Sequence, residues 1–407
     1  MARKILFNPW AFIVLFFLLH LYVFQALKHI TRNVNISART AVYASYWLLL
    51  VAQIYCTYRF SGATERTSYF FFTFVLIVAI GQLSAAVFLL LDDLRRVFLF
   101  AKSAFSHTGE TSGGIPRSSF LSWLAILAGG LIGGTFLYGI SNRYNYRLRT
   151  VKLRFPNLPA SFEGLRIVQL SDIHSGSFNN QAAVLRGVQM ALDARPDLIL
   201  FTGDLVNNRA TEMQDYKEIF GKLKAPMGVY STLGNHDYGD YVQWPTPESK
   251  ADNLAQLKQI HADMGWHLLM NEHVVFERNG EKIALLGVEN WSGKGHFPKY
   301  GRLDLAHKGT ENIPFKILMS HDPSHWDAQV RPDYPDIDLT LSGHTHGMQF
   351  GIDIPGFRWS PVRWMYKEWE DLYQEQKQYI YVNRGFGFLG YMGRVGILPE
   401  VTLIELG

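Results

Sequence analysis

The sequence predicts an α/β domain that follows an N-terminal region of about four transmembrane helices. Three observations indicate this arrangement. The long apolar runs lie almost entirely in the first 140 of the 407 residues. The remaining residues alternate between short apolar segments and segments with helical spacing. Five of the short apolar segments end in aspartate, histidine or asparagine, which indicates a polar site at the edge of a sheet.

Each apolar run is close to the roughly 20 residues that a helix needs to cross a bilayer. The predicted spans are residues 9–27, 41–58, 69–91 and 121–140. Basic residues precede the first run, as in a signal peptide, but no clear cleavage site follows, so we expect this run to be retained. We expect His20 to be a polar residue that faces another helix, and the glycines of the fourth run to permit close helix packing.

The distribution of lysine and arginine favours an extracytoplasmic domain. The N-terminus and the second loop carry Arg3, Lys4, Arg59 and Arg66. The first and third loops carry more basic residues, namely Lys28, Arg32, Arg39, Arg95, Arg96, Lys102 and Arg117. Because positive loops stay in the cytoplasm, we expect a multi-pass protein of a bacterial-type inner membrane with its large domain outside. Basic residues after the fourth span oppose this bias, but they begin a long domain, where the rule is weaker.

Composition excludes two further classes. The net charge is +4 and no basic block occurs, so a nucleic-acid partner is not indicated. Cys56 is the only cysteine and lies in an apolar run, so disulfides do not hold the fold together. Cysteine is therefore not a metal ligand in the second half of the chain.

Residues 141–160 are predicted to link the spans to a domain at 161–407, and alternation over residues 147–155 favours an edge strand within this linker. An Asn-Gly pair at 279–280 predicts a hairpin. The predicted helices are residues 180–194, 212–223 and 251–264. The predicted strands are residues 165–170, 198–202, 228–232, 274–276, 283–287, 315–319, 337–341, 379–382 and 401–405.

The polar residues that follow five of these strands form a candidate metal site. They are Asp172, His174, Asp204, Asn235, His321, His344 and His346, with His236 and Asp237 beside Asn235. Residues two apart on an extended chain point the same way, so the pairs at 172/174 and 344/346 would each present two groups to one point. Without His236, the donors exceed what one metal needs and suit two. Asp204 is the natural bridge, because a carboxylate can join two cations and an imidazole cannot.

Oxygen and nitrogen ligands without sulfur suit manganese, iron, zinc or magnesium-class ions. Two such ions about 3.5–4 Å apart clamp the attacking and leaving oxygens of a phosphoryl displacement and lower the pKa of a bound water. The sequence therefore predicts two divalent metal ions of open identity and a phosphorylated substrate.

These motifs, in this order and spacing, resemble those of the calcineurin-like metallophosphoesterases over residues 165–406. The resemblance implies an α/β/β/α sandwich of two mixed sheets. It implies one metal held by Asp172, His174, Asp204 and His346, and a second held by Asp204, Asn235, His321 and His344. It also implies that His236 faces the phosphate and protonates the leaving oxygen, and that Asp237 orients His236.

The membrane-attached layout resembles a bacterial subgroup that acts on lipid-linked phosphates. We therefore expect a membrane-anchored phosphohydrolase that cleaves a phosphodiester or pyrophosphate of a lipid-linked substrate by attack of a metal-bridging hydroxide. A receptor or scaffold whose metal domain does not turn over is one alternative. A phosphatase that acts on a soluble nucleotide or phosphoprotein is another.

Two departures from that subgroup are visible. Some relatives carry a twin-arginine export signal before the last hydrophobic segment, whereas Arg117 is the one arginine in residues 116–121. Relatives often carry several acidic residues in the loop after the strand at 283–287. This chain has Glu289-Asn290-Trp291 there, so we expect its specificity to differ.

Two stretches are each open to two interpretations. Residues 348–373 mix aromatic and basic side chains, as in an amphipathic flap that rests on lipid or in a long loop folded on its own aromatics. Arg384 and Arg394 lie in a glycine-rich stretch, either as phosphate contacts or as ordinary surface arginines.

Overall fold

The computed structural model describes residues 9–60, 65–105, 115–294 and 297–407 of the chain. Arg3, Lys4 and the side chain of Arg66, which entered the orientation argument, lie outside this description. The chain divides into two compact units, which are Met1–Ile140 with Gly390–Met392, and Ser141–Leu389 with Gly393–Gly407.

Four helices make up the first unit, and all are long and apolar enough to cross a membrane. They are α1 Pro9–Ile30, α2 Ile36–Phe60, α3 Glu65–Phe105 and α4 Ser119–Gly139. Helix α3 extends well past the predicted end at residue 91. Ion pairs at i,i+3 spacing support this extension, with Arg95 at 2.9 Å from Asp92 and Arg96 at 2.9 Å from Asp93.

Glycines bring α3 and α4 together, as the fourth apolar run predicted. A Cβ atom added to Gly129 would lie 2.6 Å from the carbonyl oxygen of Gly81, so the crossing requires glycine there. His20 of α1 is fully buried, and its ring nitrogens lie 2.5 and 2.9 Å from the Gln82 side-chain amide on α3. His20 therefore faces another helix, as expected.

Two six-stranded mixed sheets form the second unit. One has the order β1-β14-β2-β3-β4-β5, the other has the order β12-β13-β9-β8-β7-β6, and β10-β11 is a separate hairpin. The strands are β1 Arg147–Leu153, β2 Arg166–Leu170, β3 Leu198–Phe201, β4 Val229–Ser231, β5 His267–Leu268, β6 Glu272–Arg278, β7 Glu281–Gly287, β8 Phe315–Met319, β9 Leu339–Ser342, β10 Ile352–Ile354, β11 Phe357–Trp359, β12 Asp371–Glu375, β13 Gln378–Val382 and β14 Glu400–Leu406.

Helices of this unit connect the strands. They are α5 Gln181–Asp193, α6 Lys217–Phe220, α7 Pro247–Asp263, α8 Leu303–His307 and α9 Arg331–Asp333. The helix predicted at 212–223 is wrong, because only α6 and a preceding 3₁₀ turn form there. The Glu212 carboxylate accepts the backbone N–H groups of Asn207 at 2.6 Å and Arg209 at 2.9 Å. Glu212 thus closes the loop after β3 instead of lying inside a helix.

The core lies between the two sheets. Ile167 and Leu200 of the first sheet belong to one buried cluster with Leu285 and Ile317 of the second. Neighbouring residues on β7 and β8 point the other way, because side chains alternate along a strand, and they pack in a second cluster with Leu303 of α8. The result is the predicted sandwich of two mixed sheets with helices outside.

Candidate metal centre

The seven predicted ligands all follow strands at the carboxyl edges of the two sheets. Strands β2, β3 and β4 are adjacent and parallel in the first sheet, and β8 and β9 are adjacent and parallel in the second. Their side chains therefore converge from two directions. A direct bond joins the sheets here, since the backbone N–H of His344 donates to both carboxylate oxygens of Asp172, at 3.0 and 3.1 Å.

Five of these residues have left-handed backbone conformations. Their φ angles are 52° at Asp172, 50° at His174, 61° at Asp204, 71° at His344 and 51° at His346. Each costs a non-glycine residue about 1–2 kcal/mol. Backbone strain of this kind concentrates at functional sites, where the surrounding structure holds it in place.

Two glycines make room for the carboxylates. A Cβ atom on Gly234 would lie 2.2 Å from Asp204 Oδ1, and one on Gly343 would lie 2.2 Å from Asp172 Oδ2. Gly234 lacks a positive φ angle. Glycine is thus needed at 234 for the close approach of Asp204 and not for its backbone conformation.

The first ligand group consists of Asp172, His174 and His346, whose ligand atoms lie within 4.8 Å of one another. The Nε2 atoms of the two histidines are only 3.0 Å apart, and His346 Nε2 is 3.2 Å from Asp172 Oδ1. His174 Nδ1 lies 3.1 Å from the side-chain oxygen of Asn207. That contact places the proton of a neutral imidazole on Nδ1 and leaves the Nε2 lone pair directed at the group.

The second group consists of Asp172, Asp204 and His321. His321 Nδ1 donates to the backbone oxygen of Thr202 at 2.8 Å. Its Nε2 atom is buried without a hydrogen-bond partner and lies 3.1 Å from Asp204 Oδ2. Asp204 Oδ2 is also 3.5 Å from His174 Nε2, so Asp204 contacts ligands of both groups.

Asn235 and His344, the two remaining predicted ligands, also lie in contact with each other. Asn235 Oδ1 lies 2.8 Å from His344 Nδ1, while its Nδ2 donates to the hydroxyl of Tyr241 at 2.7 Å. His344 Nε2 lies 2.8 Å from the Tyr366 hydroxyl, which in turn is 3.5 Å from Asp322 Oδ2.

These contacts fit divalent cations. Nitrogen and oxygen ligand atoms lie about 3 Å apart in three places, and side chains of these types hold divalent cations in proteins. Burial lowers the pKa of His174, which favours the neutral, ligating form. Burial also lowers the pKa of His321, but the charges of Asp204 and Asp172 outweigh it and raise the pKa to about 10. A positive charge is therefore favoured beside Asp204.

Two parts of the chain match known families. Residues 3–143 match the family described as the transmembrane domain of probable calcineurin-like phosphoesterases. Residues 165–348 match the calcineurin-like phosphoesterase family. The uncharacterized metallophosphoesterase YkuE of Bacillus subtilis (strain 168) is 31% identical over 254 residues, which cover 61% of this chain and 81% of that protein.

The chain belongs to the calcineurin-like metallophosphoesterases.

Two further relatives fit this family. A Danio rerio transmembrane protein with metallophosphoesterase domain is 31% identical over 278 residues, covering 66% of this chain and 60% of that protein. The UDP-2,3-diacylglucosamine pyrophosphatase LpxG of Chlamydia muridarum is 27% identical over 278 residues, covering 59% of this chain and 83% of that protein. The chain thus spans less than two thirds of the Danio rerio relative. This metallophosphoesterase is a membrane protein, as the sequence predicted.

The sequence-based role of Asp237 in this metallophosphoesterase is wrong. Its carboxylate does not reach the His236 ring. It accepts the backbone N–H groups of Asp204 and Gly234, both at 2.9 Å, and of Leu205 at 2.8 Å. Asp237 therefore fixes the backbone that carries Asp204.

His236 is oriented by a different group. Its Nδ1 atom lies 2.7 Å from the backbone oxygen of Asn207, and its backbone N–H donates to Asp204 Oδ1 at 2.8 Å. The ring lies 4.4 Å from that of Tyr241 and is partly exposed. Because the His236 side chain is partly exposed, a bound substrate can reach it.

Sequence reasoning missed three residues of the metallophosphoesterase site. Asn207 contacts both His174 and His236. It lies in the same loop after β3 as Asp204, and this position could have marked it as a site residue. Tyr241 contacts Asn235 and His236. Tyr366, distant in sequence, reaches His344, and no local pattern in the sequence marks it.

Neither interpretation of the two arginines holds, because both side chains are buried. Arg384 Nη1 donates to Asp353 at 2.7 Å, and Arg384 Nε lies 2.6 Å from Glu370 Oε2. Arg394 donates to backbone oxygens, including that of Arg384 at 2.8 Å. Arg394 therefore supports the glycine-rich loop, and a Cβ atom on Gly385 of this loop would lie 3.0 Å from Asp172 Cβ.

Proposed function

We propose that this metallophosphoesterase binds two divalent cations and hydrolyses a phosphodiester or pyrophosphate bond of a lipid-linked substrate. The observation that carries the proposal is the convergence of ligand atoms in three close contacts, His174 with His346, His321 with Asp204, and His344 with Asn235. These contacts lie on loops of both sheets, and their imidazole, carboxylate and amide groups are ligands that divalent cations accept.

One cation would be held by Asp172, His174, Asp204 and His346. The other would be held by Asp204, Asn235, His321 and His344. The contacts of Asp204 with both His174 and His321 support its role as the shared ligand. Bound cations would neutralise the phosphoryl charge and supply a water of lowered pKa.

His236 is the proposed proton donor to the leaving oxygen. Burial lowers the pKa of its imidazole, so the ring is neutral near pH 7 with its proton on Nδ1 beside the Asn207 oxygen. A phosphate anion next to the ring would raise that pKa and favour protonation of Nε2. The proton needed by the leaving group would then be present only when substrate is bound.

Two observations favour a lipid-linked substrate. The catalytic domain is carried on a chain with four candidate membrane spans. The Chlamydia muridarum relative is named for a pyrophosphatase activity on a diacylated sugar nucleotide. The excess of basic residues in the first and third loops favours placing this domain outside the cytoplasm.

The test uses the full-length protein purified in detergent. We expect two metal ions per chain by mass spectrometry and metal-dependent hydrolysis of bis(p-nitrophenyl) phosphate. Asp204→Asn should abolish hydrolysis, whereas the exposed Asp193→Asn control should not change it. Asn235→Ala should lower metal content, whereas His236→Ala should keep both ions and lose turnover. Wild-type turnover by Asp204→Asn at matched metal content would refute the proposal.

A second experiment addresses the substrate. Membrane lipid extract is incubated with wild-type protein or with His236→Ala and then profiled by mass spectrometry. We expect a phosphodiester or pyrophosphate lipid to disappear only with the wild-type protein. Turnover of soluble nucleotides with no change in any lipid would assign the site to a soluble substrate.

A further inference from the structure

Exposed apolar side chains of the second unit are concentrated in one short segment. They are Met348 at 50%, Ile352 at 44%, Ile354 at 56%, Phe357 at 50%, Trp364 at 74% and Met365 at 59% exposure. The other large apolar side chains that are strongly exposed among the described residues of this unit are Leu148, Leu185, Tyr241, Val275, Tyr300 and Leu305. Those are scattered, and scattered exposure is normal, whereas a contiguous exposed set marks an interaction surface.

This segment is exposed because its hairpin belongs to neither large sheet. Strand β10 pairs only with β11, through a turn at Gly356 that has a φ angle of 81°. The next residues have two faces. Val362, Tyr366 and Trp369 are buried in a small cluster with Ile397, while Trp364 and Met365 point outward. The buried face agrees with a loop folded on its own aromatics, and the exposed face leaves an amphipathic flap as a proposal.

Basic residues border the apolar side chains. Arg358, Arg363 and Lys367 line a groove of 600 Å³ together with Lys294. The acidic residue in the groove is Glu370, and burial raises the pKa of Glu370 to about 7, which reduces its negative charge. Arg358 is also paired with Asp371. Lys367 lies 3.3 Å from Glu368 and 3.4 Å from Glu375. Among the residues that line the groove, basic side chains still outnumber acidic ones.

We propose that this segment is a membrane-contact surface for anionic lipid. The hairpin surface consists of Met348, Ile352, Ile354, Phe357, Trp364 and Met365, with Arg363, Lys367 and Lys294 at its border. Its apolar side chains enter the interfacial region of the bilayer, where tryptophan is favoured. Its basic side chains contact anionic headgroups.

Two features favour a bilayer over a protein partner. The four candidate membrane spans tether the second unit to a bilayer, and tethering raises the effective concentration of lipid for a weak contact. The combination of tryptophan, aliphatic side chains and a basic border also matches the chemistry of anionic lipid.

Tyr366 connects the border of the hairpin surface with the metal centre. Lys294 Nζ lies 5.4 Å from the centre of the Tyr366 ring, and the Tyr366 hydroxyl lies 2.8 Å from His344 Nε2. A phosphorylated lipid headgroup on this surface would therefore be next to the ligands, a consequence that rests on the proposed function. The surface itself does not.

The test measures lipid contact directly in the full-length protein. In a Cys56→Ser background, Met365→Cys carries an environment-sensitive fluorophore, and Leu305→Cys, which is 49% exposed in the wild type, carries the same label as the matched control. Labelled protein is placed in nanodiscs of phosphatidylcholine alone or of equimolar phosphatidylcholine and phosphatidylglycerol. Some nanodiscs contain brominated acyl chains as quenchers.

We expect brominated lipid to quench the label at residue 365 and not the label at residue 305. Quenching should be stronger with phosphatidylglycerol, and Arg363→Gln with Lys367→Gln should remove that difference. Equal quenching at the two positions would overturn the proposal. A blue shift at 365 without lipid quenching would also overturn it and would indicate a protein partner or a second copy. None of these readouts uses hydrolysis, so they remain valid if the proposed function fails.

Discussion

Gly234→Ala should displace the Asp204 carboxylate and so lower catalytic activity more than it lowers the stability of the fold. The added Cβ atom would lie 2.2 Å from Asp204 Oδ1 and 2.7 Å from its backbone nitrogen. Cβ contacts under 3.0 Å are essentially absent from proteins. The carboxylate must therefore retreat by about 0.8 Å before the contact becomes tolerable.

That retreat affects catalysis more than folding. Asp204 Oδ2 would leave its position 3.1 Å from His321 Nε2 and 3.5 Å from His174 Nε2. A misplacement of about 1 Å at a catalytic group can lower the rate about 100-fold, so we expect a loss of that order in kcat/KM. Overpacking of this kind costs about 1–3 kcal/mol of folding free energy.

The assay compares Gly234→Ala with Gly164→Ala in thermal unfolding, metal content and hydrolysis of bis(p-nitrophenyl) phosphate. Gly164 has a φ angle of 79° and open space around its Cβ position. Alanine there costs about 1–2 kcal/mol in backbone strain and moves no ligand. A Gly234→Ala protein with wild-type kcat/KM, at a stability similar to that of Gly164→Ala, would refute the placement of Asp204.

Three further predictions concern buried polar residues. Asn207→Ala removes the acceptor for His174 Nδ1, so metal affinity should fall about 10–100-fold in a metal titration. Asn207→Asp keeps an acceptor and should retain more affinity. Equal metal affinities of the two variants would contradict the role of Asn207. Asp237→Asn sets a donor against backbone N–H groups and should cost about 1–3 kcal/mol in thermal unfolding; unchanged melting would refute this. Burial lowers the pKa of His261 from 6.5 to about 3. The unfolded chain therefore binds the extra proton as the pH falls below 6.5, and about 2 kcal/mol is lost by pH 5. In His261→Gln, melting should depend less on pH between 7 and 5, and an identical dependence would exclude His261 as its source.

The convergence of the ligands was predictable from strand order. Residues that follow neighbouring parallel strands must meet at one edge, so Asp172, Asp204 and Asn235 were expected together. The approach of Asp172 to both ligand groups was not predictable. It depends on the bond from the His344 backbone across the two sheets, and the sequence contains no information on how two sheets face each other.

Local side-chain direction also escaped prediction. The family resemblance implied that Asp237 orients His236. Both lie in a 3₁₀ turn, where consecutive side chains diverge, and the Asp237 carboxylate turns back to the loop after β3. The helical spacing around Glu212 also gave a wrong prediction. The Glu212 carboxylate accepts backbone N–H groups a few residues earlier in the chain, and these bonds stabilise a loop instead of a helix.

The pairing of β14 has a consequence for synthesis. Strand β14 lies between β1 and β2 in the first sheet, although more than 200 residues separate it from both in the sequence. The ribosome therefore releases β1 through β5 before the strand that joins β1 to β2 exists. The first sheet, and with it the loops of Asp172 and Asp204, can be completed only after residues 400–406 have emerged. Until then the growing chain would expose an unpaired edge of β2, a period in which chaperone protection would matter most.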